Sequence, residues 1–225
     1  MAVIQAYELA NSVYKHLESN RIVIVGAGGF GREVASWYLD YHGYKQDIVF
    51  LDDSKEGVVK LGQYQFPIIS NLDAFVSNSR DRILMGVANP QAKKDIDRKF
   101  SERNIKFSTF LHKSVICSPG AVIGEGSIIC PYSVLSDNVQ LGKVNTLNLC
   151  CTIGHDTSLG DYTTLSSHVD ITGGCQIGKL VFWGSGSRII PNKHVADGCK
   201  IGAGSLIMHN ISKLKTVYCL PSKTL

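Results

Sequence analysis

Apolar residues recur at every sixth position along the second half of the chain. The series runs from Ile123 to Ile207, and all fifteen of its members are apolar. A small residue stands four places after most of them, as at Ser127, while Asn145 and Lys193 are exceptions. A period of six matches neither an α-helix nor an alternating β-strand. It predicts a parallel β-helix in which each hexapeptide supplies one short strand and one turn.

Three hexapeptides make one triangular coil in this prediction, so residues eighteen apart lie above one another. The large apolar side chains fill the interior, and small residues such as Cys151, Cys175 and Cys199 fit at the tapered corners. Glycine often follows the apolar residue, and we expect these glycines to adopt turn conformations that side chains resist. They are Gly124, Gly142, Gly154, Gly160, Gly178, Gly184 and Gly202.

The first half of the chain alternates between strand-like and helix-like segments. Short apolar runs predict strands within 21–28, 47–53 and 82–88, and segments of helical character predict helices over 30–42 and 90–104. This alternation is typical of a small parallel α/β sheet that binds ligands at the carboxyl ends of its strands.

Three regions follow from these patterns. Residues 1–20 carry an apolar face of helical period and are predicted to form an N-terminal helical extension, packed on its own domain or on a neighbouring subunit. Residues 21–110 are predicted to form a Rossmann-like α/β half-domain. Residues 111–225 are predicted to form the all-β parallel β-helix.

Composition and charge narrow the functional classes. A chain of 225 residues with 44% hydrophobic and 19% charged residues is not a disordered protein. A formal charge of +4 is too small to predict nucleic-acid binding. No apolar run approaches the ~20 residues of a membrane span, and the first residues lack the pattern of a signal peptide. Seven cysteines without a CxxC pair argue against a zinc site or a disulfide framework, so we expect a cytoplasmic protein without a metal.

A glycine-rich segment, GAGGFG (26–31), follows the first predicted strand, as a dinucleotide-binding loop would. Asp52 and Asp53 stand about 21 residues beyond it, where such a site places a ribose-binding acid. A half-sheet is too small for both halves of a dinucleotide site, which argues against an NAD-dependent oxidoreductase. A single mononucleotide fits better, with the helix start offering amides to a phosphate. The alternative is that the glycines serve only close strand–helix packing.

Four segments carry a resemblance to a known family. They are VIVGAGGFGREV (23–34), FLDD (50–53), FLHKSV (110–115) and NLCCTIGHDTSLGDY (148–162). The chain resembles the left-handed β-helix sugar acyltransferases, in particular the sialic acid O-acetyltransferases and the bacillosamine-pathway nucleotide-aminosugar N-acetyltransferases. This resemblance implies a left-handed β-helix, acetyl-CoA as co-substrate, and a homotrimer with active sites between neighbours. It also implies that the α/β domain holds a nucleotide-linked sugar, for which the candidate residues are Gly28, Gly29, Asp52 and Asp53.

The resemblance makes His155 the general base. His155 stands two residues past the inward Ile153, in a polar setting that includes Asn148 as a candidate substrate contact. Imidazole suits the removal of a proton from an incoming amine or hydroxyl, and the adjacent Asp156 would fix its tautomer. One coil further on lies Gly173, whose bare backbone N–H can approach a thioester carbonyl. A simple turn glycine is the alternative interpretation of that position.

Other family positions are altered in this sequence. Relatives commonly carry a second histidine nine residues past the first, which falls here on Thr164, a candidate hydrogen-bond donor to the substrate. The residue before His155, often acidic in relatives, is Gly154. The resemblance places coenzyme A along the later coils, near Gly184, Ala203 and Lys223.

Together these features predict an acetyl-CoA-dependent N-acetyltransferase that acts on the amino group of a nucleotide-linked amino sugar, in bacterial surface glycan biosynthesis. A sugar O-acetyltransferase of the sialic acid or capsule type needs the same base and remains an alternative. So does a non-catalytic hexapeptide-repeat scaffold. We expect a homotrimer with no nucleic-acid partner and no integral membrane segment.

Overall fold

The computed structural model describes residues 4–5, 21–44 and 46–219. Most of the predicted N-terminal helix therefore lies outside the described residues. Its described part is a short strand, β1 (Ile4–Gln5), which pairs antiparallel with Val122–Ile123 of the β-helix. The helical prediction is wrong for these two residues, because their backbone extends the edge of a sheet.

The N-terminal α/β region is built on a five-stranded sheet. Its strands β2, β3, β5 and β6 run parallel, β4 pairs antiparallel with β5, and the order is β4-β5-β3-β2-β6. The predicted parallel strands and both predicted helices are present, whereas the β4–β5 hairpin was not predicted. The elements are β2 (Arg21–Val25), α1 (Gly29–His42), β3 (Ile48–Leu51), β4 (Val58–Leu61), β5 (Tyr64–Ser70), β6 (Asp81–Met85) and α2 (Pro90–Ser101).

Up to Ile207 the β-helix consists of two-residue strands that repeat every six residues and pair in parallel with strands eighteen residues away, as Thr146 does with Thr164. The last strand departs from this period, because Thr216 pairs with Lys200, sixteen residues earlier. Three faces result. Face 1 holds β7 (Phe110–Leu111), β10 (Ile128–Ile129), β13 (Thr146–Leu147), β16 (Thr164–Leu165), β19 (Phe182–Trp183), β22 (Lys200–Ile201) and β24 (Thr216–Val217). Face 2 holds β8 (Ile116–Cys117), β11 (Val134–Leu135), β14 (Thr152–Ile153), β17 (Asp170–Ile171), β20 (Arg188–Ile189) and β23 (Leu206–Ile207). Face 3 holds β9 (Val122–Ile123), β12 (Gln140–Leu141), β15 (Ser158–Leu159), β18 (Gln176–Ile177) and β21 (His194–Val195), with β1 at its edge.

The core of the β-helix follows the sequence pattern. All fifteen apolar residues from Ile123 to Ile207 are at most 4% exposed. The predicted corner cysteines Cys151, Cys175 and Cys199 are buried as well, while Cys219 is exposed. The six-residue period therefore identified the interior correctly.

The left-handed backbone conformation occurs at a different position from the one predicted. Every sixth residue from 126 to 204 has a positive φ, and most of these residues, such as Val144 and Leu180, are not glycine. The glycines that follow the apolar residues leave room for the backbone of the next coil instead. A Cβ on Gly154 would collide with the backbone N of Gly173 in the next coil. The expectation that these glycines supply turn conformations is therefore wrong, since they permit coils to stack closely.

Helix α2 docks the α/β region onto face 1. The fully buried Lys93 reaches across to donate to Thr146 Oγ1 and to the Thr163 carbonyl, each at 3.1 Å. Burial holds the pKa of the Lys93 amine well below its usual value. One turn further along the helix, Asp97 accepts from Lys143 Nζ and from the hydroxyl of Tyr162, both at 2.7 Å. These contacts fix the α/β region on the outer surface of face 1.

Neither helix in the described part of the chain is long and apolar enough to cross a membrane.

Candidate active site

His155 lies on the corner between faces 2 and 3, where the chain turns from β14 to β15. Its Nδ1 is 2.8 Å from Asp156 Oδ2, and the two side chains are 70% and 59% exposed. A carboxylate only accepts hydrogen bonds, so Nδ1 carries the hydrogen and Nε2 is left with a free lone pair. The structure therefore presents Nε2 as an accessible base.

Asp156 is itself held by a residue that sequence analysis missed. Asn138, which lies one coil earlier on the same corner, donates from Nδ2 to Asp156 Oδ1 at 2.8 Å. Hydrogen bonds from Asn138 and from His155 keep the pKa of the Asp156 carboxyl below its usual value. The signal in the sequence was the eighteen-residue coil period, applied backward from Asp156.

Gly173 lies one coil after His155, against the imidazole. A Cβ added to Gly173 would lie 2.7 Å from His155 Nε2. The corresponding corner position carries a side chain elsewhere, as at Ser167 and Ala203. Positive φ occurs one residue later, at Gly174. Gly173 is therefore not the left-handed turn residue, and its missing side chain makes room for the imidazole.

The backbone N–H of Gly173 also differs from its counterparts at other corners. The equivalent N–H groups of Lys143 and Lys179 donate to the carboxylates of Asp161 and Asp197, which lie one coil later. One coil after Gly173 the residue is Pro191, which has no side-chain acceptor. The Gly173 N–H therefore lacks this type of intramolecular acceptor and is suited to bind an external oxygen.

Three other predicted residues lie on a different corner, between faces 1 and 2. Asn148 follows β13 and accepts the N–H of Leu149 on Oδ1 at 2.7 Å. Gly184 and Ala203 lie further along the same corner, and a Cβ on Gly184 would collide with the backbone N of Ala203. Within one chain these residues are separated from His155 by the width of face 2. Lys223 lies outside the described residues.

Thr164 is placed away from His155, on face 1. Its side chain is buried, and its hydroxyl donates to the carbonyl of Ala88 at 2.6 Å. Ala88 belongs to the segment between β6 and α2. In this structure Thr164 therefore contributes to the contact between the α/β region and the β-helix.

The glycine-rich loop combines packing with open space. A Cβ on Gly31 would collide with the carbonyl oxygen of Gly26, which itself has a φ of +101°. These two glycines allow α1 to pack closely against the sheet. By contrast, a Cβ on Gly28 or Gly29 would meet no atom within 4 Å. The start of α1 is thus open, as an anion site at a helix N-terminus requires.

Asp52 and Asp53 hold the loops around this opening. Asp52 Oδ2 accepts the N–H of Ala27 at 2.7 Å, which ties the glycine loop to the end of β3. Asp53 Oδ1 accepts the N–H of Leu72 at 2.8 Å. Both carboxylates have structural partners, and their binding of substrate stays a prediction.

A basic pocket adjoins the glycine loop at the carboxyl ends of the strands. It measures about 410 Å³, and Ala27, Arg32, Lys55 and Lys60 are among its lining residues. Lys55 Nζ donates to the carbonyl of Ala27 at 3.0 Å, so its charge lies beside the helix start. Sequence analysis missed Arg32 and Lys55, because nothing in the local pattern distinguishes them from surface cations.

The basic pocket and His155 lie on opposite sides of the β-helix. The α/β region covers face 1, whereas His155 occupies the corner between faces 2 and 3. In a triangular coil that corner is the one opposite face 1. The α/β region that carries the basic pocket therefore docks on the face opposite the corner that carries His155.

No group of three or more histidine, cysteine, aspartate or glutamate residues within the described ranges is arranged to hold a metal ion.

Comparison with known proteins supports a common fold over most of the chain. Residues 21–100 match the model of the PglD N-terminal domain. The chain is 26% identical over 189 residues to GDP-perosamine N-acetyltransferase of Escherichia coli O157:H7, an alignment that covers 80% of this chain and 82% of the relative.

Solved structures extend this similarity. The acetyltransferase domain of PglB from Neisseria gonorrhoeae FA1090, in complex with acetyl coenzyme A, matches with a TM-score of 0.79 and 27% identity, over 92% of this chain and 100% of that one. PerB from Caulobacter crescentus, in complex with CoA and GDP-perosamine, shares the fold with a TM-score of 0.77 at 20% identity, over 91% of this chain and 96% of that one. These matches confirm the predicted fold class, a left-handed parallel β-helix preceded by a small α/β region.

Proposed function

We propose that this chain, a homologue of GDP-perosamine N-acetyltransferase with a PglD N-terminal domain, transfers the acetyl group of acetyl-CoA to the amino group of a nucleotide-linked amino sugar. The observation that carries the proposal is the arrangement of His155 Nε2 beside the backbone of Gly173, with Nδ1 bound to Asp156. We assign the reaction to bacterial surface glycan biosynthesis, because the relative acts on a sugar of the same class.

His155 performs the proton transfer in this proposal. Acetyl-CoA supplies the acetyl group as a thioester. Nε2 accepts a proton from the sugar amine as its nitrogen bonds to the acetyl carbon, and the hydrogen on Nδ1 stays with the imidazole because Asp156 accepts it at 2.8 Å. The imidazolium then has a proton available for the departing thiolate.

Gly173 serves the same reaction through its backbone. Gly173 lies against the imidazole, and Pro191 in the next coil offers its N–H no side-chain acceptor. An N–H in this place donates to the oxygen on which negative charge develops when the amine attacks the thioester. The base and the donor thus belong to consecutive coils, at a fixed spacing set by the repeat.

The nucleotide of the substrate is assigned to the basic pocket of the α/β region. Arg32 and Lys55 supply positive charge, and the open start of α1 at Gly28 and Gly29 offers backbone N–H groups to a phosphate. We expect Lys55→Ala to raise the KM for the nucleotide sugar about tenfold while kcat changes less than about twofold, since a charged hydrogen bond to phosphate is lost far from the reacting amine. Steady-state kinetics measure both constants.

The control for this substitution is Lys94→Ala, which removes an exposed lysine from α2 and is expected to leave both constants unchanged. Equal KM values for Lys55→Ala and the unaltered protein would place the nucleotide elsewhere.

We further propose that the protein is a homotrimer. The α/β region that carries the pocket docks on the face opposite the corner of His155, which favours transfer to the histidine of a neighbouring chain. Face 2 is flanked by two corners. One corner carries Asn148, Gly184 and Ala203, and the other carries His155. A neighbouring subunit packed along face 2 can therefore bring its own Asn148, Gly184 and Ala203 close to this His155. Light scattering should then give the mass of three chains.

The unpaired state of all seven cysteines supports a reducing, cytoplasmic setting.

The proposed function is tested with acetyl-CoA and a panel of nucleotide-linked amino sugars, among them GDP-perosamine, by following thiol release. N-acetylation of at least one member supports the proposal. Acetylation of a sugar hydroxyl in place of the amine would favour the O-acetyltransferase alternative. A non-catalytic scaffold would give no turnover and no rise of Tm with coenzyme A.

A further inference from the structure

We propose that Asn138 is a positioning residue for the acetyl transfer, acting on His155 through Asp156. The inference rests on the proposed function and adds a third member to the hydrogen-bonded chain at the corner between faces 2 and 3. Asn138 does not touch His155 in the described contacts. Its role is to fix the carboxylate that fixes the imidazole.

The geometry forms a continuous relay. Asn138 Nδ2 donates to Asp156 Oδ1 at 2.8 Å, and Asp156 Oδ2 accepts from His155 Nδ1 at 2.8 Å. Both carboxylate oxygens are therefore engaged, one by each neighbour. The backbone beneath is fixed too, because the N–H of Asp156 donates to the carbonyl of Asp137 at 3.1 Å. The rotation of the carboxylate about its Cβ–Cγ bond is thus held by the amide of Asn138.

The corner conformation alone does not account for an asparagine at this place. Asn138 has a φ of +56°, but valine, leucine and tyrosine occupy equivalent corners at Val144, Leu180 and Tyr162. What distinguishes Asn138 is a side-chain donor directly below a carboxylate. The neighbouring Asp137 cannot substitute for it, since Asp137 is an acceptor and is itself bound by the Ser118 hydroxyl at 2.8 Å.

The hydrogen bond from Asn138 matters for catalysis because the Asp156 side chain is 59% exposed and little else restrains it. An exposed carboxylate with one partner samples other rotamers and is solvated by water, and the imidazole then loses its preference for the hydrogen on Nδ1. Neutral imidazole with the hydrogen on Nε2 is no base at that nitrogen. Asn138 therefore raises the fraction of molecules whose Nε2 lone pair faces the substrate.

Two substitutions test the role. Asn138→Gly removes the amide and fits the positive φ, so we expect a folded protein with kcat lowered about 3- to 10-fold, the value of one lost hydrogen bond, and an unchanged KM for acetyl-CoA. Asn138→Asp keeps the shape but replaces the donor with a second carboxylate. It should move the acid limb of the pH profile to higher pH, because added negative charge favours the protonated imidazole.

The control is Asn104→Gly, which removes an asparagine of the same conformation (φ +57°) that follows α2, outside the β-helix. Nitrogen NMR of the His155 ring gives a readout independent of turnover. The unaltered protein and Asn104→Gly should show the hydrogen on Nδ1, while Asn138→Gly should show a mixture of both neutral tautomers.

A double-substitution cycle separates action through Asp156 from any other effect. In an Asp156→Asn background, Asn138→Gly should cause no further loss of kcat. An equal loss in both backgrounds, or an unchanged tautomer in Asn138→Gly, overturns the positioning role. If no nucleotide amino sugar is acetylated by the unaltered protein, the proposed function fails instead, and the NMR comparison still decides whether Asn138 controls the His155 ring.

Discussion

Replacing His155 with alanine is expected to lower kcat about 10²- to 10⁴-fold, which is the range that a positioned general base contributes. Its Nε2 is the accessible lone pair at the corner between faces 2 and 3, and the Asp156 carboxylate holds the opposite ring nitrogen, Nδ1. The side chain is 70% exposed, so its removal leaves no cavity and should hardly change the free energy of unfolding. Thiol release from acetyl-CoA in the presence of the sugar acceptor measures the effect.

The matched control is His194→Ala. His194 is an exposed histidine in strand β21 of face 3. Its substitution should leave kcat unchanged. Near-normal turnover of His155→Ala would remove the histidine from the mechanism, whatever the fold of the protein.

The second large effect is expected from Gly173→Ala, which should lower kcat about 100-fold, the effect of misplacing a reacting group by about 1 Å. The new Cβ would lie 2.7 Å from His155 Nε2, so the imidazole must turn away or tilt. The backbone itself tolerates the change, because Ala203 occupies the same position in another coil. We therefore expect a Tm close to that of the unaltered protein together with a strongly reduced kcat.

Lys179→Ala is the control for this substitution, since it places alanine at the equivalent position of the corner between faces 3 and 1. Its kinetics should match the unaltered protein. A Gly173→Ala enzyme with full activity would show that the imidazole does not work in the position seen here.

The fold was predictable because the six-residue repeat of the sequence corresponds to a six-residue repeat of the structure. Each hexapeptide contains an inward apolar residue followed by a turn, and Ile129 and Ile201 are both buried in this way. What failed was the assignment of the turn residue. Glycine marked close stacking at positions such as Gly154, while residues with ordinary side chains such as Tyr162 carried the positive φ. Sequence cannot separate these two uses of glycine, because both remove a Cβ.

The candidate site was predictable as far as the resemblance and the eighteen-residue period reached. His155, Asp156 and Gly173 were named from these two sources, and the structure brings all three together. Asn138 follows from the same period but was missed, since its importance depends on a side-chain direction. Thr164 stays a predicted substrate contact, and in the structure its hydroxyl donates to the carbonyl of Ala88 between the two regions.

By itself, therefore, the sequence determined the β-helix, its interior and the corner that carries His155, because a repeated short-range pattern specifies a repeated local structure. Only the tertiary structure decided how the α/β region lies on face 1, where Lys93 and Asp97 become buried partners of Thr146 and Lys143. Such contacts join residues about fifty positions apart along the chain. They depend on the meeting of two surfaces that no local pattern encodes, and they place the basic pocket on the side opposite His155.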